Sequence, residues 1–242
     1  MISKSNGIGS GINYGGIMST IFNTPTIKHL AYMCKRCHNY DKIDIGINFV
    51  GAYTPTEFFI NENSINYACH YCKEYTTHFM VDVDIAETLS LLNKMGYRTI
   101  YSCQGHCTAK SIGIKGKPYR LKYSDPYVFI KGKKKPNPEL VMELIKIGFT
   151  KWTIGQDKTF RKINITNPDD VVELLNSTVF CFHYDFYNVK KRIKYLSSKA
   201  QYDWEINYDA AKYFKNINKK LLRVIRKFYK EDNNDSKEKN KK

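Results

Sequence analysis

Apolar positions change period along the chain. Residues 77–82 alternate as a strand does, and Ile85, Leu89, Leu92 and Met95 then recur at helical spacing. Asp84 opens that helix with Glu87 three places on, the spacing of a capping box, and Gly96 stands where a left-handed cap belongs. Alternation resumes over residues 98–103, so the pattern predicts a strand–helix–strand unit.

A second unit follows. Residues 127–130 read as a short buried strand, and Asn137 caps a helix with Pro138 at its first position. Leu140, Val141, Leu144 and Ile147 form its apolar face, Gly148 ends it, and residues 149–154 are strand-like. The match of Leu92, Gly96, Tyr97 and Ile100 to Leu144, Gly148, Phe149 and Trp152 suggests an internal duplication. Residues 160–165 supply another strand. Asn167 and Pro168 repeat the cap and proline ahead of Val171, Val172, Leu174 and Leu175.

Residues 187–197 and 209–229 are helical by period. The second helix sets Phe214, Ile217, Leu221, Leu222, Ile225 and Phe228 against Lys215, Lys219, Arg223, Arg226 and Lys230 on its other side. The fold class expected is α+β: an N-terminal zinc ribbon, a duplicated strand–helix–strand core and C-terminal helices. The expected boundaries are a Gly- and Ser-rich flexible leader (1–28), the ribbon (29–80, with strand-like runs at 43–50 and 58–60), the core (81–180), a helical region (181–230) and a disordered basic tail (231–242).

At 242 residues, with 42% hydrophobic and 26% charged, the chain can bury a real core. No apolar run approaches the ~20 residues of a membrane span, and the first 30 residues lack the apolar stretch of a secretory signal. A cytoplasmic protein that does not enter membranes is expected. The 39 Lys and Arg against 23 Asp and Glu give a net charge of +16. That excess favours a polyanionic partner, nucleic acid or a nucleotide, because each neutralised phosphate releases a counterion. Lysine dominates the basic residues, as codon bias in an AT-rich genome would also produce. Most of the excess lies beyond residue 189.

The seven cysteines change the picture further. Cys34 and Cys37, then Cys69 and Cys72, make two Cys-x-x-Cys half-sites. Each can aim two thiolates at one tetrahedral ion, and four thiolates describe a closed, structural zinc site. His38 and His70 are the alternative ligands. The second signal is Ser102-Cys103-Gln104-Gly105-His106-Cys107, a turn at the end of a strand. Cys103, Cys107 and His106 suit a second metal; Cys103 suits a nucleophile with His106 lowering its pKa; His106 and Ser102 suit a bound phosphate or carboxylate. The same residues also suit a buried strand end with a histidine-capped turn.

The candidate catalytic set is Cys103, His106 and Asp82, with Asp82 as acid/base or orienting group. The candidate substrate-binding set is Ser102, Gln104, Gly105, Lys115, Lys117 and Arg120, since aromatics interleave with basic residues around 115–123.

The run from Asp82 to His106, with Asn93, Gly96-Tyr97-Arg98-Thr99 and Ser102-Cys103-Gln104-Gly105-His106, resembles a segment recurrent in uncharacterised phage and low-GC bacterial zinc-ribbon proteins. More distantly it is similar to the wybutosine-synthesis tRNA methyltransferase family, whose Ser-Ser-Cys-Ser-Gly-Arg turn has Arg where this chain has His106 and Ser where it has Gln104. The first resemblance implies a phage-encoded protein in the host cytoplasm. The second implies an RNA- or nucleotide-modifying enzyme. A nucleic-acid-binding zinc protein, such an enzyme, and a phage-encoded protein that binds a host factor are the three functions the sequence supports.

Overall fold

The computed structural model describes residues 29–44, 64–111, 119–131, 134–156, 159–165, 168–177 and 179–239. The leader, residues 45–50 and 58–60, Asn167, Lys115 and Lys117 lie outside the described residues.

Two sheets carry the molecule. Strands β1 (His29–Cys34), β2 (Tyr40–Asp44), β3 (Ser64–Ala68) and β4 (Tyr75–Asp82) form an antiparallel sheet in the order β2-β1-β4-β3. Helix α1 (Val83–Lys94) leaves β4 directly and leads to β5 (Thr99–Cys103). A two-stranded ribbon follows, β6 (His106–Ser111) with β7 (Tyr119–Ser124). Then come β8 (Tyr127–Lys131), α2 (Pro138–Lys146), β9 (Lys151–Gln156), β10 (Thr159–Asn164), α3 (Pro168–Leu175) and β11 (Val179–His183). The second sheet runs β10-β9-β11-β8-β5, each neighbour antiparallel. Helices α4 (Phe186–Lys199) and α5 (Asp203–Lys239) close the chain's described part. This is a mixed α and β fold, and no helix among the described residues is long and apolar enough to cross a membrane.

The two strand–helix–strand units differ in topology. β4 and β5 belong to different sheets, so α1 bridges them; β8 and β9 share one sheet, parallel to each other with β11 between. A duplicated core therefore does not describe the arrangement. What the matched sequences share is the helix end. Tyr97 N–H donates to the Leu92 carbonyl and Gly96 N–H to that of Asn93; Phe149 and Gly148 repeat this with Leu144 and Ile145. Both glycines have positive φ, 85° and 101°, as this Schellman stop requires.

One face of the five-stranded sheet holds the core. Val128, Ile130, Trp152, Ile154, Phe180 and Phe182 alternate onto that face and meet the apolar stripes of α1, α2, α3 and α5. A second cluster joins β6 to the C-terminal helices through Cys107, Ala109, Val189, Ile193, Ile206 and Phe214. Helix α5 enters both clusters, with Phe214 in one and Ile217, Leu221, Ile225 and Phe228 in the other.

Two expectations about helix ends are corrected. Helix α1 starts at Val83, with Asp82 in the cap position but making no side-chain cap bond, and Glu87 pairs with Arg226 of α5 at 2.6 Å rather than closing a capping box. The expected disordered tail from residue 231 is helical to Lys239, a continuation of α5. Nor does that stretch add positive charge: Glu231, Asp232, Asp235 and Glu238 offset its lysines.

Candidate metal centre and the turn beside it

Two turns of the same construction present the first four cysteines. In the first, His38 N–H donates to the Cys34 carbonyl at 3.0 Å and Cys34 N–H to that of Asn39 at 2.9 Å. In the second, Lys73 N–H donates to the Cys69 carbonyl at 2.9 Å and Cys69 N–H to that of Glu74 at 2.8 Å. His38 and Lys73 occupy equivalent places, four residues after the first cysteine, and both take a left-handed φ, 59° and 62°. A non-glycine residue in that region is uncommon, and a tight turn that brings two thiols to one point is where its cost is met.

The four sulfurs converge. Cys37 Sγ lies 3.7 Å from Cys69 Sγ, Cys34 Sγ lies 3.9 Å from Cys72 Sγ, and all four are within 4.8 Å of one another. A tetrahedral ion with bonds of about 2.3 Å to sulfur would space its ligands by about 3.8 Å. The donor set and its spacing fit such an ion. The backbone supports it too: Arg36 N–H and Cys37 N–H point at Cys34 Sγ at 3.4 and 3.5 Å. Burial pushes the Cys34 thiol up to about 12. Burial also raises Cys69, but N–H groups at Cys72 and Tyr71 and the ring of His78 outweigh it and bring that thiol down to about 6. Neither His38 nor His70 joins the group.

His78 belongs to no motif in the sequence. It is buried on β4, its ring stacks on Tyr67 with centroids 3.5 Å apart, and its Nδ1 lies 3.0 Å from the Thr76 carbonyl. Nδ1 therefore carries the proton in that bond, and Nε2 is buried without a hydrogen-bond partner. The signal available was positional: His78 sits at an inward position of an alternating strand.

The 102–107 turn is built differently. Gln104 is its centre, and three bonds hold it. Its N–H donates to Asp82 Oδ2 at 3.0 Å, its Oε1 accepts from Asp84 N–H at 3.1 Å, and its carbonyl accepts from Asn218 Nδ2 at 2.7 Å. One residue thus ties the start of α1, the end of β5 and the middle of α5. Gly105, at φ 83°, lies under α5 so closely that a Cβ there would stand 2.5 Å from Phe214 Cδ1 and 2.7 Å from Pro126 Cγ.

The turn brings together Asp82, Cys103, Gln104, Gly105 and His106, but only His106 is exposed. Its Nδ1 lies 3.5 Å from Cys103 Sγ, which also receives the Gly105 N–H at 3.3 Å. Burial raises the Cys103 thiol despite bonds from Ser124 and Gly105, and raises Asp82 despite the Gln104 N–H and the nearby His106. Cys107 faces α4 and α5 in the apolar cluster, its thiol pushed up to about 11 by burial, so it is turned away from a second metal site. Ser102 pairs with Val128, on the core side of the sheet. Gln104 and Gly105 are both buried, Gln104 in its three hydrogen bonds and Gly105 under Phe214 and Pro126. Arg120 is exposed on β7, cross-strand from Lys110.

A third feature was legible only in part. From Ala210 to Lys230 helix α5 contains no acidic residue, and Lys212, Lys215, Lys219, Lys220, Arg223 and Lys227 are all exposed along it. Helix α4 packs beside α5 and is likewise free of acidic residues, with Lys190, Lys191, Arg192 and Lys194 exposed. No family model, curated protein or solved structure matches the chain.

Proposed function

We propose that the chain is a zinc-bearing protein that binds nucleic acid through the cationic side of α4 and α5. The observation that carries this reading is the run from Ala210 to Lys230: a helix of about 30 Å, at 1.5 Å per residue, with cations every three or four positions and no carboxylate among them. Duplex DNA presents a charge every ~1.7 Å of axis, so such a stripe can face several phosphates at once. A merely solvated helix face normally mixes signs, as the stretch from Glu231 does. The metal has a structural part in this proposal, since four thiolates leave no open ligand position.

The test is an ionic-strength titration of binding to RNA and DNA oligonucleotides. Five or six phosphate contacts would give a slope of log K against log salt of about −5 on duplex DNA. Replacing Lys215, Lys219 and Arg223 with glutamine should reduce that slope by about 3. Flat salt dependence would end the proposal. Arg226 is left out of the set because its pairing with Glu87 makes it part of the α1–α5 contact.

An RNA- or nucleotide-modifying enzyme is the second reading. It draws on the contact between Cys103 and His106. Against it stand the burial of Cys103 and a thiol shifted away from the thiolate, the form a nucleophile needs.

A further inference from the structure

The elbow between α4 and α5 carries a feature that phosphate binding does not need. Tyr195 near the end of α4, Tyr202 between the helices and Tyr208 early in α5 each expose more than half of their surface, and Tyr187 exposes 67% on the first turn of α4. Duplex nucleic acid offers no base faces to such rings, because its bases are already stacked on one another. Unpaired bases do.

The elbow also holds a cleft of about 260 Å³. Leu196, Ala200 and Ile206 form its apolar side, and Lys199, Tyr208 and Asp209 its polar side. Glu205 accepts the backbone N–H groups of Gln201 and Tyr202 at 2.7 and 3.3 Å, which fixes the turn that shapes the cleft. Two cations lie over the ring of Tyr195: the Arg192 guanidinium 5.3 Å and Lys199 Nζ 5.7 Å from its centroid. Both are exposed long side chains, able to swing to the phosphate of a nucleotide whose base takes their place on the ring. From Tyr208 the positions Lys212, Lys215 and Lys219 continue along α5 at helical spacing, so one strand leaving the cleft meets a cation on each turn.

We infer that the α4–α5 elbow is a base-stacking site and that the ligand of this chain is single-stranded nucleic acid, its bases against Tyr195 and Tyr208 and its backbone along α5. The inference rests on the nucleic-acid reading above and adds the strand state. Asp209, at the cleft, is placed to accept from an exocyclic amino group, whereas a phosphate at that spot would be repelled.

The experiment uses the full, metal-loaded chain and fluorescently labelled 16-nucleotide oligo(dT), oligo(dA) and a duplex of equal length, at one salt concentration. The single strands should bind at least ~10-fold tighter than the duplex. The double variant Tyr195→Ala with Tyr208→Ala should lose ~10-fold or more on the single strands and keep the salt slope, while the Phe pair should bind nearly as the parent does. Both rings are exposed, so circular dichroism of the variants should match the parent's. Equal or tighter binding to the duplex, or an unaffected Ala pair beside a reduced slope in the lysine variant, would overturn this inference and leave the nucleic-acid reading standing. Salt-insensitive binding to every oligonucleotide would remove both.

Discussion

Asn207 of α5 completes the edge of β6. Its Oδ1 accepts the Ala109 N–H at 2.6 Å, and its Nδ2 donates to the Ala109 carbonyl at 3.4 Å. A helix side chain thus takes the place of a neighbouring strand, and both groups are buried. Asn207→Leu leaves two backbone groups without partners inside the protein. It should cost about 2–4 kcal/mol in urea unfolding, and a cost below 1 kcal/mol would show that water reaches the site.

The 102–107 turn separates structure from chemistry by two substitutions. Gly105→Ala adds a Cβ against Phe214 and Pro126 at a positive φ, and should destabilise by about 3 kcal/mol. His106→Ala removes an exposed ring and should stay within about 0.5 kcal/mol of the parent. If His106→Ala keeps its melting temperature yet abolishes nucleic-acid binding or a measured turnover, the turn is a working site after all.

Asp82 gives a pH dependence with a definite sign. Burial raises its pKa, so the folded state holds the proton more tightly than the unfolded chain does. Stability from this group is then fully present below the ordinary aspartate value of 3.8 and declines as pH rises through the raised value. Asp82→Asn keeps an acceptor for the Gln104 N–H and removes the charge. It should melt above the parent at pH 7, with the gap closing toward pH 3.8. A lower melting temperature at pH 7 would mean that the carboxylate's hydrogen bond outweighs its burial.

Elemental analysis should find one tightly held metal ion per chain, and zinc is the ion proposed. Cys37→Ser or Cys72→Ser should release it and lower the melting temperature, as should a strong chelator. Release should also become easier as pH falls, because protons compete for the thiolates. A chain that melts identically with and without chelator would show that the four-stranded sheet stands without the ion.

Much of this was readable from sequence because local rules decided it. Asn137 accepts from the Glu139 N–H at 2.8 Å above Pro138, as the cap and proline predict. The four cysteines meet because each Cys-x-x-Cys turn is set by nearby residues. The Schellman stop after Leu92 and Leu144 is a local signature and carries no information on which sheet the next strand joins, so the matched sequences do not carry a matched topology. The role of Gln104 was hidden for a similar reason: its partners lie at Asp82, Asp84 and Asn218, and only the last packing step brings α5 to the turn.

The spacing of α5 in the chain has a consequence for biosynthesis. It is the latest of the described elements to leave the ribosome, yet it seals both apolar clusters, bonds Gln104 and covers the edge of β6. The four-stranded sheet, with its four converging cysteines, can form while translation continues, since all its strands precede α1. The remainder must wait, with the apolar faces of α1 and β6 still without the helix that packs on them. A nascent chain stalled before residue 203 would therefore present a finished four-stranded sheet and an incomplete body, the form on which chaperones and proteases act.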